Sequence, residues 1–244
     1  MDRANLIGDR VKPAKIKNLQ IDKKNHQNPE APASKQLFIY NMARLRRIVV
    51  AGAAYHVMNQ INRRKHYLKN PKMKKKFIEL IKIACRKYKC EIWDFCIMDN
   101  HVHLVIHPLE NVLSRVCQWL FSQFARAYNA FTGGVGRVWR GRFKSRVITT
   151  QQYQFNLTGY IGYNPVRAGL AAFPGEYKYC GLYHILHNNF EIVVKPDQDM
   201  MSFIDHFMHE SRNPEYKEKK CVPDPEYGFY PGKPGRKPEG TDTS

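Results

Sequence analysis

His101 and His103 stand one valine apart in the apolar run Cys96-Ile97-Met98-Asp99-Asn100-His101-Val102-His103-Leu104-Val105-Ile106. A β-strand alternates its side chains with period two, so the two imidazoles would project from one face. Neighbouring imidazoles can hold one divalent metal, a common use of clustered histidines. A polar stripe on a half-exposed strand would read the same way, so the pair needs company before it signifies chemistry. Further along, Tyr160 and Asn164 lie four residues apart, just before Pro165. On a helix that spacing sets them on one face, one turn apart. An asparagine carbonyl is a hard, weak ligand for Mg²⁺ or Mn²⁺, and Tyr160 beside it could present a phenolic oxygen to a phosphate bound at that metal. The alternative for Tyr160 is core packing with its hydroxyl bonded.

The elements that would position these groups can be read from patterning. Residues 48–50 and 55–61, rich in β-branched and aromatic side chains, predict a first strand. Asn70-Pro71 predicts a capped helix start, and Phe77, Leu80, Ile81, Ala84, Cys85 and Tyr88 give that helix one apolar face opposite lysine and arginine. Residues 91–98 and 102–107 predict two strands joined by a tight turn at Asp99-Asn100. Asn111 is set to cap a second long helix with Leu113, Val116, Leu120, Phe124, Ala127 and Phe131 as its apolar face, ended by Gly133-Gly134. Residues 147–150 predict a short fourth strand. A helix over 151–163 follows, stopped at Asn164-Pro165 because proline disfavours helix in the residue before it. The order predicts an α+β, ferredoxin-like split βαβ fold: an antiparallel sheet with helices on one face, plus a C-terminal tyrosine-bearing helix. One more short helix is predicted over 200–210.

His56 and Asn59 fall on the first strand, adjacent to the histidine strand in such a sheet, where either could orient a metal ligand. His107 shares the parity of His101 and His103 but stands farther along, before Pro108, and is not included among the ligands.

Composition narrows the partner. The 244 residues carry 40 Lys and Arg against 21 Asp and Glu, a formal charge of +19, which favours a polyanion, most plainly nucleic acid. The surplus is uneven: from Arg63 to Lys89 twelve basic residues surround the single acid Glu79, and from Arg137 to Arg146 five basic residues face none. The six cysteines lack any C-x-x-C spacing, which argues against a zinc ribbon or finger. No apolar run approaches the roughly 18 residues of a membrane span, and the N-terminus lacks a signal-peptide core. The expected location is the cytoplasm, at the nucleoid, without a membrane partner.

Three segments occur in order: Met98-Asp99-Asn100-His101-Val102-His103-Leu104-Val105, then Trp139-Arg140-Gly141-Arg142-Phe143, then Gly159-Tyr160-Ile161-Gly162-Tyr163-Asn164-Pro165-Val166-Arg167-Ala168-Gly169-Leu170. Together they resemble the single-tyrosine HUH transposases, and among these the REP-associated tyrosine transposases, relatives of small insertion-sequence transposases that act on single strands. The resemblance covers about residues 44–210.

It implies that His101 and His103 bind a divalent metal, Mg²⁺ or Mn²⁺, that Asn164 completes the site, and that Tyr160 is the nucleophile. Tyr163 is the rival, but it lies roughly 300° around the helix from Tyr160 and off the face of Asn164. The implied reaction is cleavage and rejoining of single-stranded DNA, at hairpin-containing ends, through a 5′-phosphotyrosine that conserves the bond energy. Arg137, Arg140, Arg142, Lys144 and Arg146 could contact phosphates, Trp139 and Phe143 could stack on unpaired bases, and Lys74 and Lys75 on the first helix could hold a hairpin stem. A domesticated DNA-binding protein of the same fold, or a replication-initiator-like nickase, are the alternatives. The protein would act as a monomer or homodimer. The chain divides into a mobile basic extension (1–43), a catalytic domain (44–172), a family-like C-terminal extension (173–210) and a disordered tail (211–244). Relatives often carry proline where this chain has Asp99. Gly162 weakens its helix by about 1 kcal/mol relative to alanine, which could let the tyrosine helix shift.

Overall fold

The computed structural model describes Val50 and residues 52–213. The basic extension, and the tail beyond residue 213, lie outside these described residues. Strand β1 is Tyr55–Gln60, helix α1 Pro71–Tyr88, β2 Cys90–Ile97, β3 His101–Pro108, α2 Leu113–Thr132, β4 Lys144–Val147 and α3 Gln151–Arg167. Two shorter helices follow, α4 (Gly181–Leu186) and α5 (Gln198–Glu210). The strands form one sheet in the order β2-β3-β1-β4, each neighbour antiparallel. This is the split βαβ arrangement that the element order predicted.

Strand pairing fixes which side chains share a face. Met58 lies opposite His103 and Gln60 opposite His101, while Val57 faces Leu104 and Asn59 faces Val102. Paired residues project to the same side, so His56, Met58 and Gln60 line the histidine face. The other face carries Val57, Phe95, Val102, Leu104 and Ile106, all buried. α1 and α2 pack against each other, and between them lies an aromatic cluster in which Phe77, Phe121 and Phe124 surround Trp139. α1 begins as its sequence predicts: the Asn70 side chain accepts a hydrogen bond from the Lys72 N–H, and Pro71 fills the first turn.

Three boundaries differ from the sequence reading. β4 lies at Lys144–Val147 rather than 147–150, because Thr150 serves as the N-cap of α3, its side chain accepting from the Tyr153 N–H. α2 starts at Leu113 after Val112, with no side-chain cap; Asn111 sits one residue too early to serve, and Phe131, expected on the apolar face, is exposed. α3 does not stop at Asn164. It runs through Pro165 to Arg167, which is tolerable because a proline in the last turn forfeits only one i→i−4 bond. Gly169, at φ +67°, then turns the chain away.

The C-terminal segment joins the same core. The Ile97 N–H donates to the Tyr179 carbonyl and the Val194 N–H to the Ile92 carbonyl, so residues 177–180 and 193–194 cover the outer edge of β2, which would otherwise offer unpaired backbone groups to another chain. α4 and α5 pack against α3. A Cβ on Gly162 would come within 2.8 Å of Leu182 Cδ2 and 3.6 Å of Phe207. The glycine expected to loosen this helix is therefore the position where α3 meets α4 and α5 most closely.

Candidate active site

Each histidine of β3 is oriented through its Nδ1. His103 Nδ1 lies 2.9 Å from His56 Nε2, and His101 Nδ1 lies 2.6 Å from Asn100 Oδ1. The asparagine oxygen can only accept, so His101 carries its proton on Nδ1 and keeps the Nε2 lone pair. In the tautomer in which His103 Nδ1 donates to His56 Nε2, the His103 Nε2 lone pair is available as well. That atom is buried and has no hydrogen-bond partner, an expensive arrangement for an imidazole nitrogen unless it has a ligand. The two rings stand nearly perpendicular, with centroids 5.0 Å apart. Burial drives the histidines to the neutral form that metal ligation requires. It lowers the pKa of His101 to about 4, and that of His56 to about 3 with help from the Arg146 charge. His103 is pushed well below its ordinary value by burial first, then by His101 and His56.

Tyr160 reaches this face from α3. Its ring meets His103 edge-on, at 90° with centroids 5.7 Å apart, and is 8% exposed. One turn on, Asn164 Nδ2 donates to the Tyr160 carbonyl at 2.9 Å, which leaves Asn164 Oδ1 as the remaining hard acceptor. Burial raises the Tyr160 phenol pKa, while the Asn164 amide and the Arg167 guanidinium pull it down and Cys96 adds to the rise. Among the described residues no group of three or more His, Cys, Asp or Glu could hold a metal ion. The donors available for a divalent ion beside Tyr160 are the His101 and His103 imidazoles, and Asn164 adds an amide oxygen one turn along α3.

Arg167 belongs to this site and was missed from the sequence. Its guanidinium lies 5.7 Å from the ring centroids of both Tyr160 and Tyr163. The spacing of seven and four residues would have put it on their face, had the helix not been ended before Pro165. His56 was weighed as an orienting residue, and it does contact His103. Asn59, weighed beside it, projects from the opposite face, where its Oδ1 accepts from the Gln60 N–H. His107 pairs with Glu91 at 3.0 Å and packs on Trp93.

The residues expected to touch DNA divide. Lys75, Arg137, Arg140, Arg142 and Lys144 are exposed and Arg146 is half-buried. Lys144 lies opposite Met58 and Arg146 opposite His56, so both project on the histidine face. Trp139 corrects the sequence reading: its Nε1–H donates to the Phe121 carbonyl at 2.8 Å, and its ring is locked in the aromatic cluster, 7% exposed, where no base can stack. Phe143 is buried as well. Lys74 is also corrected. Its ammonium is buried against Asp99 and over the rings of Tyr177 and Tyr179, so it holds the turn before the histidines rather than a hairpin stem. Lys75 is free to take the role expected of the pair.

The profile of the family described as Transposase IS200 like matches residues 49–163, from just ahead of β1 through α3 as far as Tyr163. Residues 49–163, just under half of the chain, are thus similar to the IS200-like transposases. The match takes in His101, His103 and Tyr160 and stops one residue before Asn164. That likeness implies DNA cleavage and strand transfer as the coarse activity. Among solved structures, one described as a REP-associated tyrosine transposase bound to a REP hairpin aligns over 60% of this chain and 86% of that one, at 20% identity and a TM-score of 0.52. At that identity the likeness concerns the fold. A crystal structure of a candidate transposase from Deinococcus radiodurans R1 aligns over 48% of this chain and 95% of that one, at 15% identity and a TM-score of 0.36, and carries no argument. No curated protein matches the chain. Among the described residues no helix is long and apolar enough to cross a membrane.

Proposed function

We propose that this protein is an IS200-like transposase that cleaves and rejoins single-stranded DNA with Tyr160 as its nucleophile, and that it belongs with the REP-associated members. The observation that carries the reading is the convergence of two elements: the Tyr160 ring from α3 stands against His103 from β3, beside His101, and each of these histidines meets a side-chain partner at its Nδ1. Binding alone requires none of this.

Tyr160 Oη attacks the scissile phosphorus, the P–O3′ bond breaks, and the 5′-phosphate becomes esterified to the tyrosine. The phenolic proton leaves to solvent, and the departing 3′ oxygen gains one. Rejoining is the reverse, with a 3′-hydroxyl attacking and the phenol released, so no nucleotide is spent. His101, His103 and Asn164 would hold Mg²⁺ or Mn²⁺, which supplies charge neutralisation at the non-bridging oxygens. His56 and Asn100 hold the two imidazoles in the tautomer that keeps Nε2 available. Asn164, bonded back to its own helix, holds its amide one turn from the nucleophile. The solved REP-associated enzyme was captured on a REP hairpin, and a hairpin DNA end is our proposal for the substrate here. Lys144 and Arg146, at the β4 edge of the histidine face, would lead the strand towards Tyr160, with Arg137, Arg140 and Arg142 adding phosphate contacts.

The test uses labelled single-stranded hairpins taken from the sequence flanking the gene, incubated with the full chain and Mn²⁺ or Mg²⁺ and run on denaturing gels with and without protease. A protease-sensitive adduct that disappears on chelation and in Tyr160→Phe is the expected result. Tight binding with no adduct on any hairpin would favour a protein that only binds DNA. An adduct that persists in Tyr160→Phe would move the nucleophile to Tyr163.

A further inference from the structure

We propose that the Arg63-Arg64 turn after β1 is a phosphate-binding element for single-stranded DNA, holding the strand that runs to the phosphate attacked by Tyr160. The inference rests on the reading of Tyr160 as nucleophile and adds a contact surface to it. Its starting point is backbone strain at two adjacent arginines. The Lys65 N–H donates to the Asn62 carbonyl at 3.2 Å and closes a four-residue turn. Both central residues lie in the left-handed region, Arg63 at φ 52° and Arg64 at φ 53°. Asparagine and glycine adopt this I′ pattern readily. Arginine, with a Cβ and a long stem, adopts it only where the surroundings hold the chain there.

The surroundings do hold it. Ahead of the turn the Ile61 N–H donates to the Asn100 carbonyl and the Asn62 N–H to the Val138 carbonyl, each at 2.8 Å. Behind it the Leu68 N–H donates to the Asp99 carbonyl at 3.0 Å, and the Tyr67 ring stacks on Tyr128 of α2 with centroids 4.3 Å apart. Ile61 and Leu68 are fully buried, while Arg63, Arg64, Lys65 and His66 between them are exposed. Among the described residues neither guanidinium takes part in a hydrogen bond, ion pair or ring contact. The anchors explain how the strained turn persists, and they leave open why its tip is arginine twice. Its place in the fold supplies the reason. Asp99 and Asn100, which tie down its two ends, form the turn that leads into His101, and Gln60 at the end of β1 is paired with His101. The segment carrying Arg137 and Arg140 runs alongside, the Arg140 N–H donating to the Gln60 carbonyl at 2.8 Å. Asp99, the acid in the anchoring turn, is already paired with Lys74. Exposed guanidinium groups of two segments thus gather where the histidine strand begins, each with a donor fork that matches a phosphodiester. A solvated cation needs no strained backbone, and two at a turn that resists them are placed for a ligand.

The test gives the turn the residues it prefers. Arg63→Asn and Arg64→Gly, made together in the full chain with Tyr160→Phe to silence cleavage, should raise the melting temperature and at the same time weaken DNA binding. Binding is measured from 50 to 300 mM NaCl on two fluorescein-labelled probes: a hairpin from the sequence flanking the gene with a single-stranded tail, and the same hairpin without one. Loss of two phosphate contacts to a single strand makes the slope of log K against log salt shallower by about 1.4. That change is expected on the tailed probe and not on the blunt one. Arg63→Lys with Arg64→Lys, which keeps both charges, should retain the slope. An unchanged slope on the tailed probe overturns the proposal. An equal change on both probes also overturns it, since the arginines would then serve the duplex stem or the general field of the protein. So does a melting temperature that stays level or falls in the first double variant, because the arginines would then occupy their turn without cost. Adduct formation is scored separately in the chain with Tyr160 intact. No adduct, with the slope still shallower in the variant, fails the cleavage reading and leaves the contact standing; an adduct with an unchanged slope fails the contact alone.

Discussion

Asp94 should make this protein less stable as pH rises, and Asp94→Asn should remove that dependence. The carboxyl is buried on β2 beside Gly181 of α4, so close that a Cβ on the glycine would strike Asp94 Oδ1. Oδ1 accepts the Phe95 N–H at 2.7 Å, but Oδ2 is buried with no hydrogen-bond partner. Burial outweighs the backbone bond and raises the pKa from 3.8 to about 8. Between these values the unfolded chain has released a proton that the native state keeps. The contribution to stability is therefore full below pH 3.8, falls as pH rises, and is lost once pH passes the folded value. The slope is about 1.4 kcal/mol per pH unit, so from pH 5 to 7.5 the contribution falls by about 3 kcal/mol. An asparagine keeps an oxygen for the Phe95 N–H and does not titrate. Urea unfolding at pH 5, 6, 7 and 7.5 should show the stability of Asp94→Asn rising relative to wild type by roughly that amount. Taking the difference cancels the buried histidines, whose lowered pKa values act with the opposite sign in both proteins. A gap that stays constant across the pH series would refute the argument, since it would mean that Asp94 ionises alike in the folded and unfolded chains.

Removing the imidazole that orients His103, in His56→Ala, should weaken Mn²⁺ binding by about 10- to 100-fold by titration calorimetry, and unchanged affinity would detach His56 from the metal site. Gly162→Ala should destabilise the protein by about 1 kcal/mol despite the better helix propensity, because the new methyl meets Leu182 at 2.8 Å; the cost of Leu182→Ala should then shrink in the Gly162→Ala background, and strict additivity of the two would speak against the clash. Trp139→Ala should cost about 3–5 kcal/mol in chemical denaturation, whereas Arg142→Ala should leave stability within about 0.5 kcal/mol and weaken hairpin binding. A Trp139→Ala protein of normal stability with poor DNA binding would return the tryptophan to the DNA surface.

The sheet and its first two helices were legible because their signals are local: alternation along β1 and β3, the Asn70-Pro71 start of α1, the tight turn at Asp99-Asn100. The histidine pair was legible for the same reason, since period two alone sets both rings on one face. What failed depended on partners distant in sequence. Trp139 lies in a stretch crowded with arginine, and only the packing of α1 against α2 shows that its ring fills a gap between Phe77, Phe121 and Phe124. Lys74 looked like one more cation on a basic helix until Asp99, 25 residues away, took its charge. Arg167 was hidden by a local rule applied too strictly, since proline discourages helix before it but does not forbid one more turn. Gly162 looked like flexibility because the side chain that needs its absent Cβ, Leu182, is twenty residues further on.

These cases bear on how the site is held together. The two metal-binding candidates sit on one strand, in register with β1, and their separation is fixed by the pleat. The nucleophile sits on a different element, and its distance from His103 depends on how α3 is seated. On the side away from the sheet α3 rests on Leu182, Phe203 and Phe207, through the bare faces of Gly159 and Gly162. Those partners belong to α4 and α5, beyond residue 163 where the family match ends. α4 is in turn set against Asp94 and the Phe95 backbone through Gly181, and the strand-like segment before it is bonded to Ile97. The segment after residue 172 therefore does more than extend the domain: it braces the tyrosine helix against the strand next to the histidines. A change at Leu182 or Gly181, far from any reacting atom, should move Tyr160 relative to His103 and slow adduct formation more than it weakens DNA binding. Loss of binding and adduct in equal measure would show instead that this segment serves the DNA surface.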